Sequence, residues 1–189
     1  NIKPAMMEVG GTFDAEDCFG AWNLYKAIEQ QNPKTSNRLV MGPWFHGGWS
    51  RGEGSSLGNV RFGSKTSKYY QDSIEMPFFN FHLKGKGTLD GIAEATVFFT
   101  GENNWKKFSA WPPPTVTAVP LFFQNNGTLA FNAPQKGNMF TSYTSDPAKP
   151  VPYADGVHLI RTREYMSDDQ RFAARRPDVR DLGIARDEA

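Results

Sequence analysis

The sequence predicts an α/β domain followed by an all-β, jelly-roll-like domain, and two patterns predict it. Up to about residue 90, short apolar strand-like runs alternate with amphipathic helix-like stretches, as in βαβ units. After that point, short β-like runs alternate with turns rich in Pro, Gly and Asn, and no convincing helix follows. We therefore predict that residues 1–90 are the C-terminal part of an α/β domain. Residues 91–189 are predicted to form a jelly-roll-like β domain.

The first 42 residues predict one βαβ unit. Ala5–Gly11 is a short apolar run that ends in glycines, and Arg38–Met41 is a second apolar run followed by Gly-Pro. Between them, Glu16–Gln31 has helical periodicity and is stopped by Asn-Pro. The apolar face of this helix is predicted to consist of Ala21, Leu24, Tyr25 and Ile28.

A second helix is predicted over Ser67–Lys84, with a kink at Pro77. Its apolar face is predicted to comprise Tyr70, Ile74, Phe78 and Phe81. In the β domain, five runs have strand character: Ala95–Thr100, Trp105–Phe108, Ala118–Phe123, Leu129–Phe131 and Met139–Tyr143. Residues 125–127 (NNG) have the composition of a hairpin turn. The charged stretch from Arg161 onwards is predicted to be irregular and to lie on the surface.

Composition excludes several classes of protein. Lys and Arg (21) nearly balance Asp and Glu (20), which argues against binding to nucleic acid or to a membrane surface. The single cysteine, Cys18, excludes an internal disulfide and a thiolate metal cluster. No apolar run approaches the roughly 20 residues that a bilayer crossing needs. Residues 1–5 show no signal-peptide pattern, so localisation is not predicted from the N-terminus.

Asp14 and His46 follow the two predicted strands of the βαβ unit. Because those strands should be parallel neighbours, both loops should leave the same edge of the sheet, where open α/β sheets bind ligands. An aspartate beside a histidine suits general-base catalysis, since the carboxylate holds the imidazole tautomer and stabilises the imidazolium. In α/β hydrolases the chain order is nucleophile, acid, histidine. The nucleophile is therefore expected to precede residue 1.

Residues 54–58 (GSSLG) match the pattern G-x-S-x-G, which marks the nucleophile in that fold. The pattern requires an apolar strand before it, and residues 48–53 (GWSRGE) cannot form one. It also follows the histidine, which is the wrong order. Ser56 is therefore not predicted to be the nucleophile.

Two stretches resemble a known family. Residues 9–14 (VGGTFD) and 39–49 (LVMGPWFHGGW) resemble the acid and histidine motifs of the cocaine esterase and X-Pro dipeptidyl peptidase group of α/β hydrolases. Residues 14–17 (DAED) narrow the resemblance to the α-amino acid ester hydrolases, also known as glutaryl-7-aminocephalosporanic acid acylases. Residues 145–153 (SDPAKPVPY) and 168–179 (DDQRFAARRPDV) are similar to the same subgroup.

The resemblance implies that residues 1–90 end an α/β-hydrolase catalytic domain, with Asp14 as triad acid and His46 as triad base. It also implies that Glu16 and Asp17 belong to a carboxylate cluster that binds the substrate's α-ammonium group. The serine, the oxyanion-hole donors and the third carboxylate would lie upstream, so the 189-residue chain alone is expected to be inactive. The sequence departs from the family at Thr12, where the family more often has a bulky residue such as Trp, and at residues 180–189. The family pattern continues into strands there, whereas this stretch is polar, so the resemblance implies that the β domain is incomplete or irregular at its end.

The same resemblance implies a serine esterase or acylase that cleaves esters or amides of α-amino acids, including β-lactam-type acyl donors. It implies a small-molecule substrate, no cofactor, a periplasmic or secreted setting and homo-oligomers. A different hypothesis is that the chain is a non-catalytic binding or structural module, with its β domain covering a partner's cleft.

Each of these site residues also has a purely structural interpretation. Asp14 could cap the following helix, a role that would compete with catalysis for the same oxygen. Acidic residues in a first helical turn are stabilised by the helix dipole, which would account for Glu16 and Asp17. The aromatic residues of the histidine motif could line an acyl pocket or simply pack the loop: Trp44, Phe45 and Trp49. His82 and His158 lack a supporting motif, and no histidine–carboxylate spacing predicts a metal site.

Overall fold

The computed structural model describes residues 2–14, 16–57, 60–124, 128–134, 144 and 147–148. The chain divides into two compact units, residues 1–115 and 116–189. In chain order the described elements are β1 (Met6–Gly11), α1 (Cys18–Gln31), β2 (Asn37–Gly42), a 3₁₀ turn (Gly48–Ser50), β3 (Ser56–Leu57), β4 (Val60–Arg61), α2 (Thr66–Tyr70), a π turn (Gln71–Glu75), α3 (Met76–Lys84), β5 (Ala95–Phe99), β6 (Asn104–Phe108), β7 (Phe122–Phe123) and β8 (Leu129–Ala130). No helix in these ranges combines the length and the apolarity that a membrane crossing requires.

The predicted βαβ unit is confirmed. β1 and β2 pair in parallel, in a register that sets Gly11 beside Gly42, and α1 connects them. The helix covers one face of the sheet, where Tyr25 packs with Leu39 and Met41 in a buried cluster. Leu24, predicted for this face, is half exposed instead.

The opposite face of the sheet is covered by α2, the π turn and α3. Val40 points to this face because side chains alternate along a strand, and it packs with Tyr70, Ile74 and Phe78 as predicted. Phe81 is exposed rather than buried.

The predicted helix Ser67–Lys84 is interrupted near Pro77, although not by a simple kink. The π turn ends at Glu75, and Pro77 is the second residue of α3. Proline lacks a backbone N–H and its ring displaces the carbonyl four residues earlier, so the helix widens in the turn before it.

The sheet continues past residue 90, which differs from the predicted domain boundary. β5 pairs in parallel with β2, and β6 pairs antiparallel with β5, giving the order β1-β2-β5-β6. The predicted strands Ala95–Thr100 and Trp105–Phe108 therefore extend the α/β sheet instead of opening a β-sandwich. The physical reason is burial: Ala95 to Phe98 are all buried, as is typical of a parallel strand covered on both faces.

The second unit is described only around a short antiparallel hairpin of β7 and β8. The backbone N–H of Gln124 donates to the carbonyl of Thr128 across it, at 2.9 Å. Both strands are shorter than predicted for Ala118–Phe123 and Leu129–Phe131. The predicted turn at 125–127, the strand Met139–Tyr143 and the stretch from Arg161 onwards lie outside the described residues.

Glu8 is a buried carboxyl on β1. Neither of its carboxyl oxygens has a hydrogen-bond partner within the described ranges. Burial raises the pKa of Glu8 to about 7; the nearby backbone N–H of Glu8 itself opposes that rise, and the charge of Glu29 adds to it. Since Glu8 lies within the strand, this carboxyl is separate from the loops at the strand ends.

We predict that Gly11→Ala destabilises the protein by about 1–3 kcal/mol, a typical cost of overpacking. A methyl group at Gly11 would collide with the backbone carbonyl of Trp44, which cannot rotate away. Thermal or denaturant unfolding of the full-length protein measures the effect.

Gly20→Ala is the matched control. A methyl group at Gly20 meets nothing closer than 3.9 Å, and alanine favours the helix by up to about 1 kcal/mol. Equal unfolding midpoints for Gly11→Ala and the wild type would contradict the close approach of the two loops.

Candidate active site

Two loops meet at the carboxyl edge of the sheet, as the parallel register requires. The acid loop (12–17) follows β1, and the histidine loop (43–54) follows β2. They are joined directly: Thr12 N donates to Gly42 O at 2.9 Å, and Phe13 N donates to Trp44 O at 3.2 Å. The Thr12 hydroxyl adds a bond to the same Gly42 carbonyl at 3.3 Å. These contacts hold Asp14 and His46 side by side.

The Asp14 carboxylate uses its two oxygens for different partners. Oδ2 lies 3.1 Å from Nδ1 of His46. Oδ1 accepts the backbone N–H groups of Glu16 at 2.8 Å and of Asp17 at 3.1 Å. The Asp14 side chain is 1% exposed and that of His46 is 31% exposed. A buried carboxylate with a fixed orientation therefore faces a histidine that solvent and ligands can reach.

This arrangement resolves the competition between capping and catalysis for Asp14. One oxygen binds the amides that lead into α1, and the other is left for the histidine. The expectation that capping and the contact with the histidine compete was wrong, because the turn before α1 brings the amides to one oxygen of the carboxylate only.

Glu16 and Asp17 precede α1 instead of lying in its first turn. The helix begins at Cys18, and Asp17 occupies the N-cap position without making a side-chain capping bond. These acids therefore lie just before the first turn and not within it, with Asp17 at the N-terminal end of the helix, where the dipole favours a negative charge. Glu16 is exposed. The Asp17 side chain is 70% exposed, and its Oδ2 lies 3.6 Å from Nδ1 of His46.

Asp14, Asp17 and His46 form a compact group. One potential ligand atom from each lies within 4.8 Å of the others, close enough to hold a cation. Two carboxylates facing one imidazole nitrogen also suit a different chemistry, in which Nδ1 keeps its proton and the imidazolium is stabilised. The sequence spacing did not predict this grouping of three residues, because Asp17 reaches Nδ1 only through the turn before α1.

The aromatic residues of the histidine loop occupy different environments. Trp44 is buried in the core, and its indole N–H donates to Thr66 Oγ1 at 2.9 Å. Its position therefore agrees with the interpretation that it packs the loop. Phe45 packs against the cluster of Leu57, Phe62 and Phe98. Trp49 is partly buried, and its ring centroid lies 6.4 Å from that of His46. Of the three, Trp49 is placed to border the histidine.

The remaining candidates lie elsewhere. Ser56 is part of β3, which pairs with β4 in a two-stranded antiparallel sheet and not in a strand–turn–helix elbow. His82 is on α3, with its ring 4.5 Å from that of Phe78, and His158 lies outside the described residues. A cavity of about 620 Å³ is bordered by His82 and by residues at the start of β1 and the end of α1, at the edge opposite to Asp14.

The sequence motifs missed three side chains that contact the histidine loop. Thr66, Ser67 and Gln71 hydrogen-bond to the indole of Trp44, to Gly48 O and to Trp49 O, respectively. Their one sequence signal is the spacing of Ser67 and Gln71, four residues apart on a predicted helix, which places them on the same face.

We predict that Asp14→Ala lowers stability by about 0.5–2 kcal/mol, because the amides of Glu16 and Asp17 lose their acceptor. Asp14→Asn keeps an acceptor oxygen and should lose much less. Unfolding midpoints of the full-length variants test this. Asp17→Asn is the control, since the Asp17 side chain makes no capping bond. Equal midpoints for Asp14→Ala and Asp14→Asn would refute the capping role.

No family model matches the chain, and the known proteins to which it is similar have the names of hydrolases. It is 29% identical over 154 residues to the cocaine esterase of Rhodococcus sp. (strain MB1 Bresler), an alignment covering 75% of this chain and 26% of that protein. An aminopeptidase from the marine sediment archaeon Thaumarchaeota archaeon has a TM-score of 0.79 and 34% identity, covering 94% of this chain and 30% of that one.

An α-amino acid ester hydrolase has a TM-score of 0.77 and 34% identity, covering 88% of this chain and 28% of that one. The chain thus spans between 26% and 30% of the length of these relatives. These findings confirm the resemblance drawn from the two loop motifs. The chain is thus a homologue of cocaine esterase, and its structural relatives belong to the X-Pro dipeptidyl peptidase-like group.

Proposed function

We propose that this chain supplies the acid and the base of a Ser–His–Asp triad in a hydrolase of esters or amides. The observation that carries the proposal is the 3.1 Å contact between Asp14 Oδ2 and His46 Nδ1, made by the loops after two adjacent parallel strands. The order of acid before histidine along the chain agrees with the α/β-hydrolase arrangement. The serine would come from a part of the protein outside this chain.

In this proposal Asp14 accepts the Nδ1 proton of His46, so that Nε2 is the basic nitrogen. Nε2 takes the proton of the serine hydroxyl while the serine oxygen attacks the substrate carbonyl. The imidazolium returns that proton to the leaving alcohol or amine, and an acyl-enzyme remains. Water then repeats the two steps and releases the acid. Asp14 stays ionised throughout, because its role is to orient and stabilise the imidazolium.

We further propose that the substrate carries an α-amino group. Asp17 places a mostly exposed carboxylate near the imidazole, and Glu16 is an exposed acid beside it. A cationic ammonium group bound there would make charge-assisted hydrogen bonds. Two of the similar proteins are named as an amino acid ester hydrolase and an aminopeptidase, which supports this substrate class. Trp49 and Phe45 would border the acyl side of the cleft.

The proposal also includes the substrates, the assembly and the cellular setting that the family resemblance implies. The parent enzyme would act as an acylase or esterase on small molecules without a cofactor, with β-lactam-type acyl donors among its substrates. It would form homo-oligomers in a periplasmic or secreted setting, and the second unit would belong to a jelly-roll β domain. The 189-residue chain alone would be inactive, since it would lack the nucleophile and the oxyanion hole.

We predict that His46→Ala in the full-length protein lowers kcat for an activated ester by about 10³-fold or more, the scale of losing a triad member. His82→Ala and Ser56→Ala are the controls, and both should leave kcat unchanged. A fluorophosphonate should label one serine outside this chain. A metal chelator should not alter the rate if the group of Asp14, Asp17 and His46 works through protons.

An active His46→Ala variant would refute the triad. A full-length protein that neither turns over esters nor reacts with the fluorophosphonate would instead favour a non-catalytic binding module.

We also predict that Glu16→Gln and Asp17→Asn lower kcat/KM for an α-amino ester by about tenfold to a hundredfold, the size that one charge-assisted bond implies. Turnover of the matched ester without the amino group should hardly change or should improve. The measured quantity is the ratio of the two kcat/KM values, which a loss of stability alone would leave constant. An unchanged ratio would remove the α-amino assignment and keep the esterase.

A further inference from the structure

The histidine loop is hydrogen-bonded to the rest of the protein on the side that faces α2. Ser67 Oγ donates to the carbonyl of Gly48 at 3.0 Å, and Gln71 Nε2 donates to the carbonyl of Trp49 at 2.9 Å. On the other side of His46, the indole N–H of Trp44 donates to Thr66 Oγ1 at 2.9 Å. Residues both before and after the histidine are thus bonded to the same short stretch of helix.

The geometry of α2 and of the π turn that continues it explains how one helical stretch reaches two consecutive carbonyls. Ser67 and Gln71 are four residues apart, so their side chains lie above one another on one face. Gly48 and Trp49 open the 3₁₀ turn that follows His46. The carbonyl of Gly48 also accepts the backbone N–H of Arg51 at 3.2 Å, so Ser67 is its second donor. Ser67 is fully buried, which gives its contact a fixed position.

The end of the histidine loop is held by the same helix. Backbone N–H groups of Thr66 and Ser67 donate to the carbonyls of Gly54 and Glu53, at 3.2 and 3.1 Å. The Thr66 hydroxyl also donates to Gly54 O at 2.6 Å. Gln71 is the first residue of the π turn, a distortion that recurs at functional sites. Asp14 approaches His46 from the opposite loop, which bonds to the start of the histidine loop at Gly42 and Trp44. The α2 side bonds to the part of the loop that follows His46.

We propose that Ser67 and Gln71 are positioning residues for the base of the reaction. They act through the backbone on either side of Trp49 and hold His46 at hydrogen-bonding distance from Asp14. This inference rests on the proposed triad function. Small displacements of a catalytic group have large effects on rate, so the contribution of these bonds should be visible in kcat and not in substrate binding.

The test uses the full-length enzyme with Gln71→Met, which keeps the side-chain length but has no hydrogen to donate to Trp49 O. Lys68→Met is the matched control on the same helix, since its ammonium group bonds only to Asp72 in the exposed i,i+4 pair. We expect Gln71→Met to lower kcat about tenfold and Ser67→Ala/Gln71→Met about a hundredfold, with KM within about twofold. Lys68→Met should leave both constants unchanged. Rates are expressed per natively folded molecule, from the unfolding curve of each variant.

A second readout separates positioning from general structural support. In an Asp14→Asn background the imidazole is already poorly oriented. Gln71→Met should therefore lower kcat by clearly less than tenfold there, because the effects of substituting residues that act as a unit are not additive. A full tenfold loss in that background overturns the proposal. So does an unchanged kcat in Gln71→Met, or an equal loss in Lys68→Met.

The outcome for His46→Ala distinguishes the two proposals. If His46→Ala is inactive while Gln71→Met is fully active, the positioning role fails and the triad stands. If His46→Ala keeps its activity, the triad itself fails.

Discussion

The carboxylate of Asp14 joins the fold to the chemistry of the site. Its Oδ1 accepts two backbone amides that lead into α1, and its Oδ2 faces the imidazole of His46. Because the first set of bonds fixes the plane of the carboxylate, the second oxygen has one direction in which to point. An acid used in this way is oriented before any substrate arrives, which is what electrostatic preorganisation requires. The turn before α1 is therefore part of the site.

The orientation of Asp14 brings its carboxylate to His46 only because the two loops leave the sheet at matching positions. The parallel register pairs Gly11 with Gly42, and the acid loop then bonds to the carbonyls of Gly42 and Trp44. Gly11 allows this approach because any side chain there would meet the Trp44 backbone. Gly11 thus serves the contact between the loops, whereas Gly10 makes room for Ala21 of α1 and Met41 of β2. Hydrophobic burial of β2 on both faces supplies the stability that this close backbone packing needs.

The βαβ unit and the pair of Asp14 and His46 were predictable because their signals are local. Apolar runs, a periodic helix and its Asn-Pro stop lie in the sequence itself, and parallel pairing then fixes which strand ends are neighbours. β5 was assigned to the wrong neighbours for the same reason: an apolar run has the same composition in a parallel sheet and in a sandwich, and its strand partner is not a local property. Helix α1 begins two residues later than predicted, since Asp14 draws the amides of Glu16 and Asp17 out of the helix.

The residues that hold the histidine loop in place could not be predicted from the sequence. Ser67 and Gln71 look like ordinary polar residues on an amphipathic helix, and only the folded chain brings them to the carbonyls of Gly48 and Trp49. Trp44, in contrast, looks like a ligand-binding aromatic residue and is a core residue. In both cases the residue type is uninformative, because α2 and the loop after β2 are separate in sequence and come into contact only in the folded chain. Motifs therefore identify the residues that perform chemistry, whereas the residues that hold them in place have to be found from contacts.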